Sequence, residues 1–135
     1  IVWFGGWPAL AFVFFPPTLV AASAGVWLFY VQHQFETTMW EQDPDWQLHE
    51  AALHGSSHYD LPLVLRWMTA NIGIHHVHHL YSRIPFYRLP DVLRDHRELV
   101  EVSRMTLRQS LKCASLDLWD AERNRLISFR QAHAA

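Results

Sequence analysis

The stretch IVWFGGWPALAFVFFPPTLVAASAGVWLFYV, Ile1 to Val31, contains no Asp, Glu, Lys, Arg or His, so all 11 basic and 13 acidic residues of the 135-residue chain follow it. Such a run exceeds the ~20 residues a helix needs to cross a bilayer core. Pro16-Pro17 divides it, and two successive prolines remove two backbone donors and clash with the preceding turn. The expected arrangement is the tail of one transmembrane helix, a turn at the prolines, and a second helix from near Pro17 to near Phe35. One long helix kinked at the prolines is the alternative. Trp27, Phe29 and Tyr30 suit an aromatic belt at the far end, where His33 reaches the interface.

Working outward, half of the chain is hydrophobic, with seven Trp and eight Phe, which is heavy for a small soluble domain. The first residue is Ile, and no charged n-region or small-residue cleavage site marks a signal peptide, so the chain is expected to be part of a longer protein. A formal net charge of −2 without a basic patch excludes nucleic-acid binding. The single Cys113 excludes an internal disulfide framework and fits a reducing compartment.

From Glu36 to Asp60 the chain is polar and acidic. Asp43-Pro44-Asp45 is a turn signal, and His49, His54 and His58 surround Gly55-Ser56-Ser57, which reads as a loop with short helical pieces. Leu61 to Leu80 returns to a helical pattern through Leu61, Leu65, Met68 and Ile72, with Pro62 in the first turn. Arg66 and Asn71 argue against a full span there. A short charged helix is expected over Asp91 to Leu99. A soluble tail follows from Glu101, with apolar contacts from Leu107, Leu111, Leu118 and Trp119. Arg104, Arg108, Lys112, Arg123, Arg125 and Arg130 mark that tail as cytoplasmic. The expected fold class is therefore all-α: one full membrane span plus part of another over 1–35, a cytoplasmic helical cap over 36–100, and a tail over 101–135.

Four of the ten histidines fall in His75-His76-Val77-His78-His79. In a helix over Asn71 to Leu80, His75, His78 and His79 stand at i, i+3 and i+4 on one face, with His76 rotated about 100° from His75. Neutral imidazole is the commonest protein ligand for Fe, Zn and Cu. Histidines without cysteine argue against a structural zinc knot and for an open, reactive metal site. The helix carrying them is expected to lie at the membrane surface or across that site. A histidine-rich surface patch is the bland alternative, opposed by the apolar flanks Ile72, Ile74, Leu80 and Ile84. Membrane-interface imidazoles point to oxygen-activating iron. A two-metal centre needs roughly eight or more ligands, more than this chain supplies.

These residues carry a resemblance. Gly73 to Tyr87, GIHHVHHLYSRIPFY, resembles the third histidine box of the membrane fatty acid desaturases. Tyr30 to Glu36, YVQHQFE, is similar to the end of that family's last transmembrane helix, where a further histidine is a ligand. Ser110 to Asp120, SLKCASLDLWD, resembles the tail of bacterial acyl-lipid desaturases of the omega-6 (delta-12) type. The resemblance implies a carboxy-terminal part of an integral, inner-membrane di-iron oxidoreductase of unsaturated fatty acid biosynthesis. It would take electrons from a ferredoxin- or cytochrome-type donor, reduce O2 to water, and leave a cis double bond in a fatty acyl lipid.

Carried over to this chain, the metal ligands are His75, His78, His79 and His33, with His76 and Asn71 as supporting residues. The family's first two boxes, H-x(3,4)-H and H-x(2,3)-H-H, are absent, so the chain alone is expected to be inactive. Relatives acting on acyl-CoA place an Asn one turn before the upstream ligand; here it is Phe29. The alternatives are a histidine-box hydroxylase or alkane monooxygenase, and a non-catalytic membrane protein holding one Zn or Cu. Residue by residue, His33 is otherwise a helix-end cap, and His76 a packing residue. Asn71 orients His75 or is a surface amide. His49, His54 and His58 are read as solvated, Leu61, Leu65 and Met68 as packing rather than tunnel lining, and Glu36 and Asp60 as hydrated charges.

Overall fold

The computed structural model describes residues 2–41 and 46–134, which leaves the expected turn at Asp43-Pro44-Asp45 outside the described residues. The chain divides into two compact units, Ile1–Tyr30 and Val31–Ala135.

The first unit belongs to one apolar helical run of 32 residues, Val2–His33, long and apolar enough to cross a membrane. It comprises α1 (Val2–Ala9), a π-helical turn (Leu10–Phe14) and α2 (Phe15–His33), the last continuing into the second unit. The chain does not reverse at Pro16-Pro17, which corrects the expected helical turn there. The helix runs on through them: the Phe15 N–H reaches back to the Leu10 carbonyl, closing a wide turn immediately before Pro16-Pro17, which have no N–H to give. Thr18 donates its hydroxyl to the Phe14 carbonyl at 2.8 Å. The break in helical backbone is instead at Gly6, where φ is 66°. Trp3, Phe4, Trp7, Phe12 and Val20 are exposed, as expected of a helix whose surroundings are apolar on every side.

The second unit is built from short pieces. In chain order they are α3 (Leu48–His54), β1 (His58–Asp60), α4 (Leu63–Met68), α5 (His75–Leu80), α6 (Leu89–Asp95), β2 (Arg104–Thr106), α7 (Leu107–Cys113), β3 (Leu118–Asp120), β4 (Arg125–Ile127) and α8 (Phe129–Ala132). Helix dominates, as the all-α expectation has it, and four three-residue strands are added to it among the described residues. β1 and β2 pair in parallel, with Tyr59 opposite Met105, and β3 and β4 form an antiparallel pair with Trp119 opposite Leu126. The β1–β2 pair ties residues 58–60 to 104–106. α7 and α8 start at capping boxes, Thr106 with Gln109 and Ser128 with Gln131, which satisfy end donors that a short helix otherwise leaves open.

The single helix expected over Leu61 to Leu80 is two helices. Ala70 and Asn71 take left-handed backbone, φ 51° and 56°, and the Asn71 N–H closes on the Arg66 carbonyl at 2.8 Å, ending α4. Asn tolerates this conformation better than most residues. Gly73 then passes so close to β1 that a Cβ there would lie 2.4 Å from the Tyr59 carbonyl oxygen, and Tyr59 donates its N–H to the Gly73 carbonyl at 2.7 Å. This contact launches α5. Ile74, just before α5, and Val77 of α5 are fully buried against Leu89 and Leu93 of α6, with Ile84, Val92, Leu99 and Val100 around them. The apolar stripe packs only at its start: Leu61 is buried, whereas Met68, with Leu63, Val64 and Trp67, is exposed. Arg66 turns the other way, to Asp60 at 2.9 Å, and Arg104 meets the same carboxylate at 2.6 Å.

Candidate metal centre

Three imidazoles meet at the junction of two elements. α2 ends in His33, and α5 begins with His75 and carries His79 one turn later, on the same face. The His33 Nε2 lies 3.2 Å from the His79 Nε2, which lies 3.0 Å from the His75 Nε2. Two nitrogens bonded to one ion at ~2.1 Å stand about 3.0 Å apart at 90° and about 3.4 Å apart in a tetrahedron, so this spacing is that of neighbouring ligands of one ion. The rings meet edge to face, with centroids 4.8 Å apart for His33 and His75 and 4.5 Å for His75 and His79.

His78 does not share that convergence point. At i+3 its ring lies alongside His75, centroids 5.7 Å apart, and 6.1 Å from that of His79. Spacing alone had put His75, His78 and His79 on one point; the structure places His33 there and sets His78 beside it.

Two of these imidazoles, His75 and His79, are pushed toward the neutral form. Burial, reinforced by the neighbouring imidazoles of His79, His33, His78 and His76, pushes His75 down to about 3. Burial and then His33 and His78 lower His79. A neutral ring keeps the lone pair that a cation needs. The buried His75 Nδ1 has no hydrogen-bond partner among the described residues. Metal-bound imidazoles usually donate from that second nitrogen, so this is where an outside acceptor would serve. An all-imidazole set with half-exposed approaches fits iron, zinc or copper.

The residues expected to support the ligands divide. His76 is fully buried, with its Nε2 on the Leu99 carbonyl at 2.9 Å and its ring 5.3 Å from that of His58. Burial, then the His58 charge, pushes it down to about 4 despite the Leu99 bond. Asn71 gives its amide to the Phe86 carbonyl at 3.0 Å rather than to His75, which fixes the approach to Pro85 instead of a ligand ring.

His49 and His54 are exposed, His54 beside Glu50 at 3.5 Å. His58 corrects the solvated reading: it is buried on β1 and its Nδ1 lies 2.6 Å from the Val100 carbonyl. Glu36 pairs with Arg125 at 3.1 Å, and Asp60 with Arg66 and Arg104, so neither carboxylate is a spare ligand. Gln32 passed unnoticed in the sequence although it is buried beside His33. The signal was there: an amide in the last turn of an otherwise apolar helix.

Comparison with known proteins bears on this centre. The family model "Fatty acid desaturase" matches residues 1–110. The chain is 45% identical over 125 residues to a "Fatty acid desaturase" of Bacillus subtilis (strain 168), covering 93% of this chain and 36% of that protein's length. No solved structure matches. With both histidine elements, at His33 and at His75 to His79, inside the matched region, the chain belongs to the fatty acid desaturase family.

Proposed function

We propose that this chain is the part of an integral membrane acyl-lipid desaturase that supplies one side of a di-iron centre. The observation that carries the reading is the convergence of the His33, His75 and His79 Nε2 atoms, at 3.0 to 3.2 Å between neighbours, at the end of a helix apolar enough to span a bilayer. These three would hold one ion, and His78, offset on the same helix, would face a second. The remaining ligands would come from the rest of a longer protein, since the aligned residues cover only 36% of the matched relative.

With both irons bound, the centre would supply reduction of O2 by donated electrons, coupled to removal of two hydrogens from an acyl chain. The chain's own residues would do the preparatory work. Burial holds His75 and His79 unprotonated, and the Ile74, Val77, Leu89 and Leu93 core fixes the helix that carries them. Arg and Lys beyond Glu101 would set this side of the membrane as cytoplasmic, where a ferredoxin- or cytochrome-type donor has access. The apolar helix would anchor the enzyme in a bacterial inner membrane.

Product analysis of the full-length enzyme, given lipid-bound acyl chains, O2 and a reduced donor, tests this. Unsaturated acyl chains are expected; hydroxylated chains, or no oxygen-dependent product from iron-loaded protein, would overturn it.

A further inference from the structure

Gln32 is 1% exposed and sits immediately before His33 in the last turn of α2. Its side chain crosses to the other histidine element: the Nε2 donates to the Ile72 carbonyl at 3.1 Å. Ile72 belongs to the left-handed turn between α4 and α5, three residues before His75. The Gln32 backbone carbonyl meanwhile accepts from the Ser57 N–H at 2.9 Å, next to β1. Gly73, the residue after Ile72, packs on the Tyr59 carbonyl of the same strand. One residue therefore bridges the two backbone segments whose separation decides how far His33 stands from His75 and His79.

We infer that Gln32 is a positioning residue for the metal centre, setting the span between His33 and the histidine helix. The inference rests on the proposed function, because it assigns the span to metal coordination. Alternatives for such a buried amide are weaker on the geometry. Simple filling of space needs no donor, yet the amide N–H is spent on a carbonyl that sits in a turn rather than a regular helix. Without that donor the Ile72 carbonyl loses its buried partner, and the turn and the helix end have one fewer tie. Residues that orient metal-bound histidines typically govern metal affinity by 10- to 100-fold.

The test is Gln32→Met, which keeps the length and removes the donor, in the full-length protein in detergent. Metal-free protein is titrated with Co(II), whose visible spectrum reports coordination geometry, alongside wild type and Ser110→Ala. The last removes a buried side-chain hydrogen bond, that between the Ser110 and Tyr59 hydroxyls, and leaves the backbone contacts of Tyr59 with Gly73 in place. Gln32→Met is expected to weaken Co(II) binding by about tenfold or more and to change the spectrum. Ser110→Ala is expected to lower the melting temperature while leaving affinity and spectrum unchanged. Wild-type affinity and spectrum in Gln32→Met would overturn the inference, as would equal weakening in Ser110→Ala. If Gln32→Met does not fold, Gln32→Leu, which also lacks the donor, is read against the same outcomes. Failure of wild-type protein to bind metal at all would instead overturn the proposed function, so the two failures are distinguishable.

Discussion

Ten histidines are spread over this chain, and burial and partner decide what each one does. His78→Ala in the full-length enzyme is expected to abolish activity, since it removes an imidazole beside the cluster, while His54→Ala, at an exposed ring paired only with Glu50, is expected to be nearly silent. Equal losses in an acyl desaturation assay would show that the loop histidines were misassigned. His58 gives a pH prediction. Burial lowers it below its ordinary 6.5, against the Val100 bond and Asp60, which raise it, while Arg66 and Arg104 lower it further. As pH falls below 6.5 the unfolded chain takes this proton first, so the stability present above that pH is lost on acidification. Melting of full-length protein should therefore fall between about pH 7.5 and about pH 5.5, and fall less in His58→Gln; an identical fall in both would contradict the assignment. That His75 and His79 share a face of α5 was legible in the sequence because i, i+4 spacing is a local property. His58 was not, because its burial depends on pairing with a strand 46 positions later, His58 opposite Arg104.

The helices that carry the site owe their ends to a few backbone constraints. Gly73→Ala would force a Cβ to within 2.4 Å of the Tyr59 carbonyl oxygen, backbone against backbone, so β1 or the start of α5 must shift. The expected cost is about 1–3 kcal/mol, typical of overpacking, read as a lower melting temperature together with weaker metal retention. Gly25→Ala is the contrasting case: nothing lies within 4 Å of its Cβ, so the melting temperature should not fall and metal retention should not change. Equal behaviour of the two variants would mean that the Gly73 contact does not position α5. Periodicity gave the existence of helix on both sides of this point. It did not give the break, because Leu61, Leu65, Met68 and Ile72 continue a helical spacing straight through Ala70 and Asn71, whose left-handed backbone stops it. At Pro16-Pro17 the misreading ran the other way: two prolines suggested a reversal, and a π-helical turn of the backbone accommodated them within one run.

For the whole molecule, the proposed di-iron centre implies that this chain supplies only part of the ligand set. Four imidazoles, from His33, His75, His78 and His79, are about half of what two irons need, and the chain spans 36% of the length of the relative it matches. The 135 residues alone are therefore expected to bind iron weakly, and tight stoichiometric di-iron binding by them would refute the shared-centre account. The class of the protein was readable from an apolar run followed by a histidine motif. His33 joined the site on the resemblance and not on spacing, since His33 and His79 are 46 positions apart and meet only through the fold. The central claim, that His33, His75 and His79 jointly hold one iron of two, is tested most directly by iron stoichiometry of full-length protein. Wild type should carry two irons per chain, and His33→Ala and His75→Ala should each lose at least one; two irons retained in either variant, or a wild type holding a single zinc, would contradict it.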